Sequence, residues 1–170
     1  MSIPALHSGP VQLPGTVDKD SIVFVAAEVS PETDRIVDLG ACRADGRFFH
    51  SADAAAFRQF CKGAKYVCGH NIVAFDMAYL RPILGEEVIA VDTLPLSALL
   101  FPRKRFHKLL KDEKLLTDEL NNPLSDARKA MALFDEETAA FAELPGVLQR
   151  LFCLMLQRQE EFAGFFKCLN

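Results

Sequence analysis

Ser21-Ile22-Val23-Phe24-Val25-Ala26-Ala27-Glu28 is the stretch on which the fold turns. Ile22 to Val25 are β-branched or aromatic and carry no charge, so the run reads as a strand apolar on both faces. Such a strand belongs in the middle of a sheet covered by helices. It stops on a carboxylate, Glu28, and turn residues follow at Ser30-Pro31-Glu32-Thr33-Asp34. An acid there is what any strand end meeting water tolerates. It is also how a metal site at the mouth of a sheet begins.

Working outward, Arg35 to Cys42 reads as a second strand with partial alternation, Ala44-Asp45-Gly46 as a hairpin turn, and Arg47 to His50 as a short third strand. The chain thus opens as a β-meander. Asp53 to Lys62 has helical spacing with Ser51 or Asp53 near its cap. Residues 65–69 form the next strand, 74–84 a helix, 88–91 a buried strand and 92–101 a helix ending before Pro102. Strands alternating with helices after a meander predict an α/β fold with a mixed sheet. Further on, Asn122 is a helix N-cap with Pro123 at the first helical position, and this helix runs to about Ala140. From Pro145 an amphipathic helix continues toward the end, and its apolar surface offers itself for self-association. The expected division is an irregular lead-in over 1–20, a domain over 21–140 and a helical extension over 141–170. The apolar close Phe165-Phe166-Lys167-Cys168-Leu169-Asn170 is what a piece of a longer polypeptide would show.

The chain has 170 residues, enough for one well-buried core, and half of them are apolar. Trp is absent and Phe numbers 14, so the aromatic core is mostly Phe. Five cysteines with no CxxC pair read as reduced thiols used as small core residues. Residues 1–20 lack the apolar run of a signal peptide, and no apolar run is long enough for a bilayer. A cytoplasmic protein without membrane contact is expected. The net charge is −4, so any nucleic-acid contact must come from a local patch. The one concentrated positive tract is Arg103, Lys104, Arg105, Lys108 and Lys111. It is either a solvated face or a row of phosphate contacts. Phe106 within it reads as a core residue rather than a base-stacking one, His107 as a surface histidine, and His70 as a residue that packs or bonds near a strand end.

Two further acids stand where Glu28 could use them. Asp76 closes Gly69-His70-Asn71-Ile72-Val73-Ala74-Phe75-Asp76, and Asp126 lies in the first turn behind Asn122. Each alone is an acid placed favourably at a helix start. Together the three resemble the metal site of the DEDD (DnaQ-like) 3′–5′ exonucleases, a family with a ribonuclease-H-like fold. The resemblance covers roughly residues 20–140. It rests on the strand ending in an acid, a following RIVDLGA strand, the GHNIVAFD segment, Asp92-Thr93 after a strand, and Asp126-Ala127 opening a late helix. More narrowly, CGHNIVAFD, VDTLPLSALLFP, LLKDEKLLTDELNNPLSDA and EEFAGFFKCLN look like the exonuclease-like domain that precedes RecQ-type helicase modules in certain bacterial proteins. The resemblance implies hydrolysis of single-stranded DNA 3′ ends with two Mg²⁺ or Mn²⁺ ions roughly 4 Å apart. It places Glu28, Asp76 and Asp126 as catalytic metal ligands. Asn71 would shape the start of the helix beside the substrate or simply cap it. Arg103, Lys104, Arg105 and Lys108 would hold phosphates, and a C-terminal RecQ-type helicase module would be the attached partner.

Two positions depart from the family's pattern. Where it has Asp-x-Glu, this chain has Ala26-Ala27-Glu28, so the carboxylate expected to touch both ions is a methyl. Where it carries a general base, a His five residues or a Tyr four residues before the last Asp, this chain has Asn121 and Asn122. The first departure predicts little or no nuclease activity. Ala26 is either natural, making the chain a pseudo-exonuclease that grips nucleic acid, or an inactivating replacement of Asp.

Overall fold

The computed structural model describes residues 17–109 and 122–169. Residues 1–16, with most of the predicted lead-in, lie outside that range, as do Lys111 and Asn121. Within it the strands are β1 (Ile22–Ser30), β2 (Arg35–Cys42), β3 (Phe48–His50), β4 (Tyr66–Gly69) and β5 (Ile89–Asp92). The helices are α1 (Ala54–Cys61), α2 (Met77–Leu84), α3 (Thr93–Leu100), α4 (Pro123–Glu143), α5 (Gly146–Leu156) and α6 (Glu160–Cys168). Lys19–Ser21 forms one 3₁₀ turn where an irregular lead-in is predicted, closed by Asp18 accepting from the Asp20 N–H.

One open sheet runs β3-β2-β1-β4-β5. The first three strands pair antiparallel, as the meander predicts, and β4 and β5 then join β1 in parallel. The fold is therefore mixed α/β, with the sheet flanked by helices. The run Ile22–Val25 is central and wholly buried. Its alternation sends Ile22 and Phe24 into a cluster with α3, α4 and α6, and Val23 and Val25 into one with α1 and α2. By the same alternation Ala26 and Glu28 face the α4 side.

On that side phenylalanines do most of the filling. Phe24 meets Phe134 at 5.7 Å between ring centroids, Phe141 meets Phe165 at 5.4 Å, and Phe165 meets Phe166 at 5.5 Å. The predicted final helix is two, since the chain breaks at residues 157–159 between α5 and α6. Helix α6 lies against β5 so closely that a Cβ on Gly164 would stand 1.8 Å from the Ala90 carbonyl oxygen.

Local chemistry sets the boundaries. Asp53 caps α1 by accepting from the Ala55 and Ala56 N–H groups, and Asn122 caps α4 by accepting from Leu124 and Ser125. The buried Arg43 donates to the carbonyls of Phe60 and Lys62 at the C-terminus of α1, where helix carbonyls lack partners. All five cysteines are free, and only Cys153 is more than slightly exposed. Among the described residues no single helix is long and apolar enough to cross a membrane.

Candidate functional site at the carboxyl end of the sheet

Strands β1, β4 and β5 are parallel, so their carboxyl ends open on one edge, the place where open α/β sheets bind ligands. Strand β1 runs past Glu28, where the sequence reading ended it, to Ser30, so Ala26 is its middle residue, two beyond the last parallel pair with β4 and paired with Gly40 of β2. A Cβ on Gly40 would lie 2.1 Å from the Leu124 backbone nitrogen, so the start of α4 rests directly on that glycine. That contact brings the first turn of α4, with Asp126, over the β1–β2 pair near Ala26. Glu28 lies two residues beyond Ala26 on the same face, opposite Asp38. The Asp38 carboxylate meets His50 Nε2 at 2.7 Å and accepts from the Leu39 N–H.

Asp76 occupies the N-cap position of α2 but does not cap it. Its Oδ1 instead reaches across the sheet edge and accepts the Ala27 N–H at 2.9 Å. Burial pushes this carboxyl up to about 6, and Asp92 and Asp126 push the same way against the backbone hydrogen bonds that it accepts. Asp76 and Asp126 are thus close enough to sense each other.

Asp92 organises the segment between β4 and α2. It is almost completely buried and accepts from the N–H groups of Asn71 (2.8 Å), Val73 (3.0 Å) and Leu94 (2.9 Å). Asn71 has φ 62°, a left-handed conformation that Asn tolerates, so it turns the chain rather than capping a helix. The helix accordingly starts at Met77, three residues later than its apolar pattern predicts. Sequence reading placed Asp92 in a structural Asp-Thr pair but could not supply its partners.

His70 bonds near the end of β4, as expected, with its Nδ1 2.9 Å from Thr93 Oγ1. Its buried Nε2 has no hydrogen-bond partner among the described residues, although the His107 backbone lies close enough to favour the charged ring, as does Asp126. Burial outweighs both and lowers its pKa, so the ring is neutral at neutral pH.

The positive tract borders a cleft of about 550 Å³ between residues 104–109 and α4. Lys104, Arg105, His107, Lys108 and Lys129 line it, whereas Arg103 is exposed outside the lining. Two expectations change here. Phe106 is 78% exposed rather than buried among the described residues. His107 is not a free surface residue, since its Nδ1 lies 2.9 Å from the buried Ser97 Oγ. Lys129 went unnoticed in the sequence; its place one helical turn after Asp126 was the available signal. Lys104 is drawn partly toward Glu136 at 3.7 Å and lies over the Phe101 ring.

A divalent metal pair is not a fit for these residues as they stand. Among the described residues no three His, Cys, Asp or Glu side chains gather to hold an ion, and Ala26 offers only a methyl. What the edge offers is an acid pair, a half-buried neutral histidine and a basic cleft one helical turn away.

No protein-family model matches the chain, and neither does any curated protein or solved structure.

Proposed function

We propose that the chain is a ribonuclease-H-like domain of the DEDD 3′–5′ exonuclease type that takes single-stranded DNA 3′ ends and is disarmed at Ala26. One observation carries this reading. Asp76 accepts the N–H of Ala27, the residue next to Ala26, and Gly40, the β2 partner of Ala26, seats the start of α4, the helix that carries Asp126 in its first turn. A sheet that opens as a meander and continues with parallel β4 and β5 supports the ribonuclease-H-like assignment. The cleft of Lys104, Arg105, Lys108 and Lys129 supports a polyanionic strand as ligand, held by phosphate contacts that do not depend on sequence. Exposed Phe106 adds a surface on which a base can stack. Mg²⁺ or Mn²⁺ is the ion that the acids would take once Ala26→Asp supplies the missing carboxylate. A RecQ-type helicase module attached at the C-terminal end would deliver the unwound strand.

A second reading is favoured by the contrast between acids that do not gather among the described residues and an open cleft lined by Lys104, Arg105, Lys108 and Lys129. In it the domain is a non-catalytic grip for single-stranded DNA, or a docking module, beside a helicase. One gel assay separates the two, with a 5′-labelled single-stranded oligonucleotide, Mg²⁺ or Mn²⁺, and the chain beside its Ala26→Asp variant. A 3′-shortened ladder from the variant alone supports the disarmed nuclease. Salt-sensitive binding by both with cutting by neither leaves the grip and removes the enzyme. If neither binds, both readings fall.

A further inference from the structure

Helix α3 is apolar except at two positions. In Thr93-Leu94-Pro95-Leu96-Ser97-Ala98-Leu99-Leu100 only Thr93 and Ser97 carry a polar side chain, and both are buried. Four residues apart, they share one face of the helix. Each holds a histidine. Thr93 Oγ1 meets His70 Nδ1 at 2.9 Å, and Ser97 Oγ meets His107 Nδ1 at 2.9 Å. One short helix thus fastens both the segment after β4, which leads to Asp76, and the positive tract beyond Phe101. The tract has no helix or strand of its own. Lys104 is tied back by its N–H, which donates to the Phe101 carbonyl. From Arg105 to Leu109 the bond between His107 and Ser97 is the one side-chain hydrogen bond made among the described residues.

We propose that Ser97 is a positioning residue for nucleic-acid binding: its hydroxyl, acting through His107, fixes Arg105 and Lys108 beside Lys129 at the cleft. The inference rests on the reading of that cleft as a seat for single-stranded nucleic acid. An irregular segment with few hydrogen bonds opens at little cost. Cations carried on it would have to be ordered at each binding event, which lowers affinity. A bond to a buried hydroxyl on a packed helix orders them beforehand. The hydroxyl enforces the arrangement, since a polar group in an apolar helix is unfavourable unless it is bonded. Ser97 bears no charge for a phosphate to meet, so its effect on binding passes through His107.

Two measurements on the whole chain test it: the rate of trypsin cleavage after Arg105 and Lys108, and the salt dependence of binding to a single-stranded oligonucleotide. Ser97→Ala should speed cleavage about fivefold, the factor that one lost hydrogen bond amounts to. It should also reduce the slope of log K against log salt by about 0.7 for each phosphate contact released, although no charge has been removed. A role in packing alone would lower the urea midpoint without moving that slope. His107→Ala should match Ser97→Ala in both measurements, and the double variant should do no more than either, because all three remove the same bond. His107→Asn, whose amide stands where Nδ1 does, should restore both. If Ser97→Ala does not fold, His107→Ala, at a partly exposed ring, carries the same comparison. An unchanged cleavage rate and slope, or additive losses in the double variant, overturns the positioning role while the unaltered chain still binds. Failure of the unaltered chain to bind the oligonucleotide overturns instead the nucleic-acid reading on which that role rests.

Discussion

The Asp76 Oδ1 accepts the backbone N–H of Ala27 at 2.9 Å, joining residues 49 positions apart in the chain. This bond fastens the start of α2 to the middle of β1 and holds a carboxylate at the Ala26–Ala27 peptide. It also leaves one face of the acid in a crowded electrostatic setting, with Asp92 and Asp126 both acting on it.

The pH dependence of stability follows from that setting. Folding raises the Asp76 pKa from 3.8 to about 6, so the folded chain keeps its proton longer. The associated stability is full below about pH 3.8 and is lost as pH rises through about 6. Asp76→Asn should abolish that loss and gain on the order of 2 kcal/mol at pH 8. Asp76→Ala removes the charge but strands the Ala27 N–H, and should fall about 1–3 kcal/mol below the Asn variant. Urea midpoints at pH 5 and pH 8 measure both differences, and identical midpoints for all three proteins would contradict the linkage.

Glu137 presents the same physics in the core. It is fully buried, and neither carboxyl oxygen has a hydrogen-bond partner among the described residues. Burial pushes its pKa up to about 9, reinforced by Asp92 and opposed by Lys104. The proton is therefore retained at neutral pH, and stability declines as pH rises from about 4.5 toward about 9. Glu137→Leu should flatten that decline and stabilise the chain by a few kcal/mol at pH 8 (order of magnitude). A melting temperature that still falls between pH 6 and pH 9 in the variant would assign the slope elsewhere.

Two glycines at equally close contacts should behave differently. Gly40→Ala puts a methyl 2.1 Å from the Leu124 nitrogen, and Gly164→Ala puts one 1.8 Å from the Ala90 carbonyl oxygen. Each overpacked site should cost roughly 1–3 kcal/mol. Only Gly40→Ala also shifts the start of α4, which carries Asp126 and Lys129. Thermal unfolding should therefore rank the two alike, while DNA binding by fluorescence anisotropy should weaken only for Gly40→Ala. Equal loss of binding in both would argue against the close contact as the device that positions the site.

The basic cleft makes a salt-dependent prediction. Replacing Lys104, Lys108 or Lys129 by Gln should weaken binding of a single-stranded oligonucleotide at low salt. Each loss should also reduce the slope of log K against log salt by about 0.7 per phosphate contact removed. Phe106→Ala should leave that slope intact but cost about 1–3 kcal/mol of binding, since stacking releases no counterions. An unchanged slope in the lysine variants would mean that the strand runs elsewhere.

The sheet was legible in the sequence because its signals are local. Ile22–Val25 announced a two-sided strand, Arg35–Cys42 matched its predicted limits, and Asn122-Pro123 fixed the start of α4 through capping chemistry. The site was legible only as candidates. The partners of Asp92 lie at positions 71, 73 and 94, and the hydrogen bond from Ala27 to Asp76 spans half a domain. Both are products of tertiary arrangement that residue spacing does not encode. Phe106 misled for a related reason, since apolarity predicts burial only where another layer stands opposite. Glu137 did carry a signal. Three residues after Phe134 and four before Phe141, it occupies the buried stripe of α4, a position at odds with its charge.

Helix α4 is one continuous rod of 21 residues, and its two ends do different work. Asp126 stands in the first turn, while Phe134 and Phe141 lie about 12 and 22 Å further along the axis, clamped among the rings of Phe24, Phe165 and Phe166. A rod held at one end and resting on Gly40 near the other is a lever with its fulcrum beside the acids. A small tilt forced at the Phe141 end swings that end but leaves Asp126, about 3 Å along the axis from the fulcrum, almost where it stood. Helix α6, remote in sequence from every acid at the sheet edge, can therefore shift with the C-terminal segment while the pivot on Gly40 shelters the site from that movement.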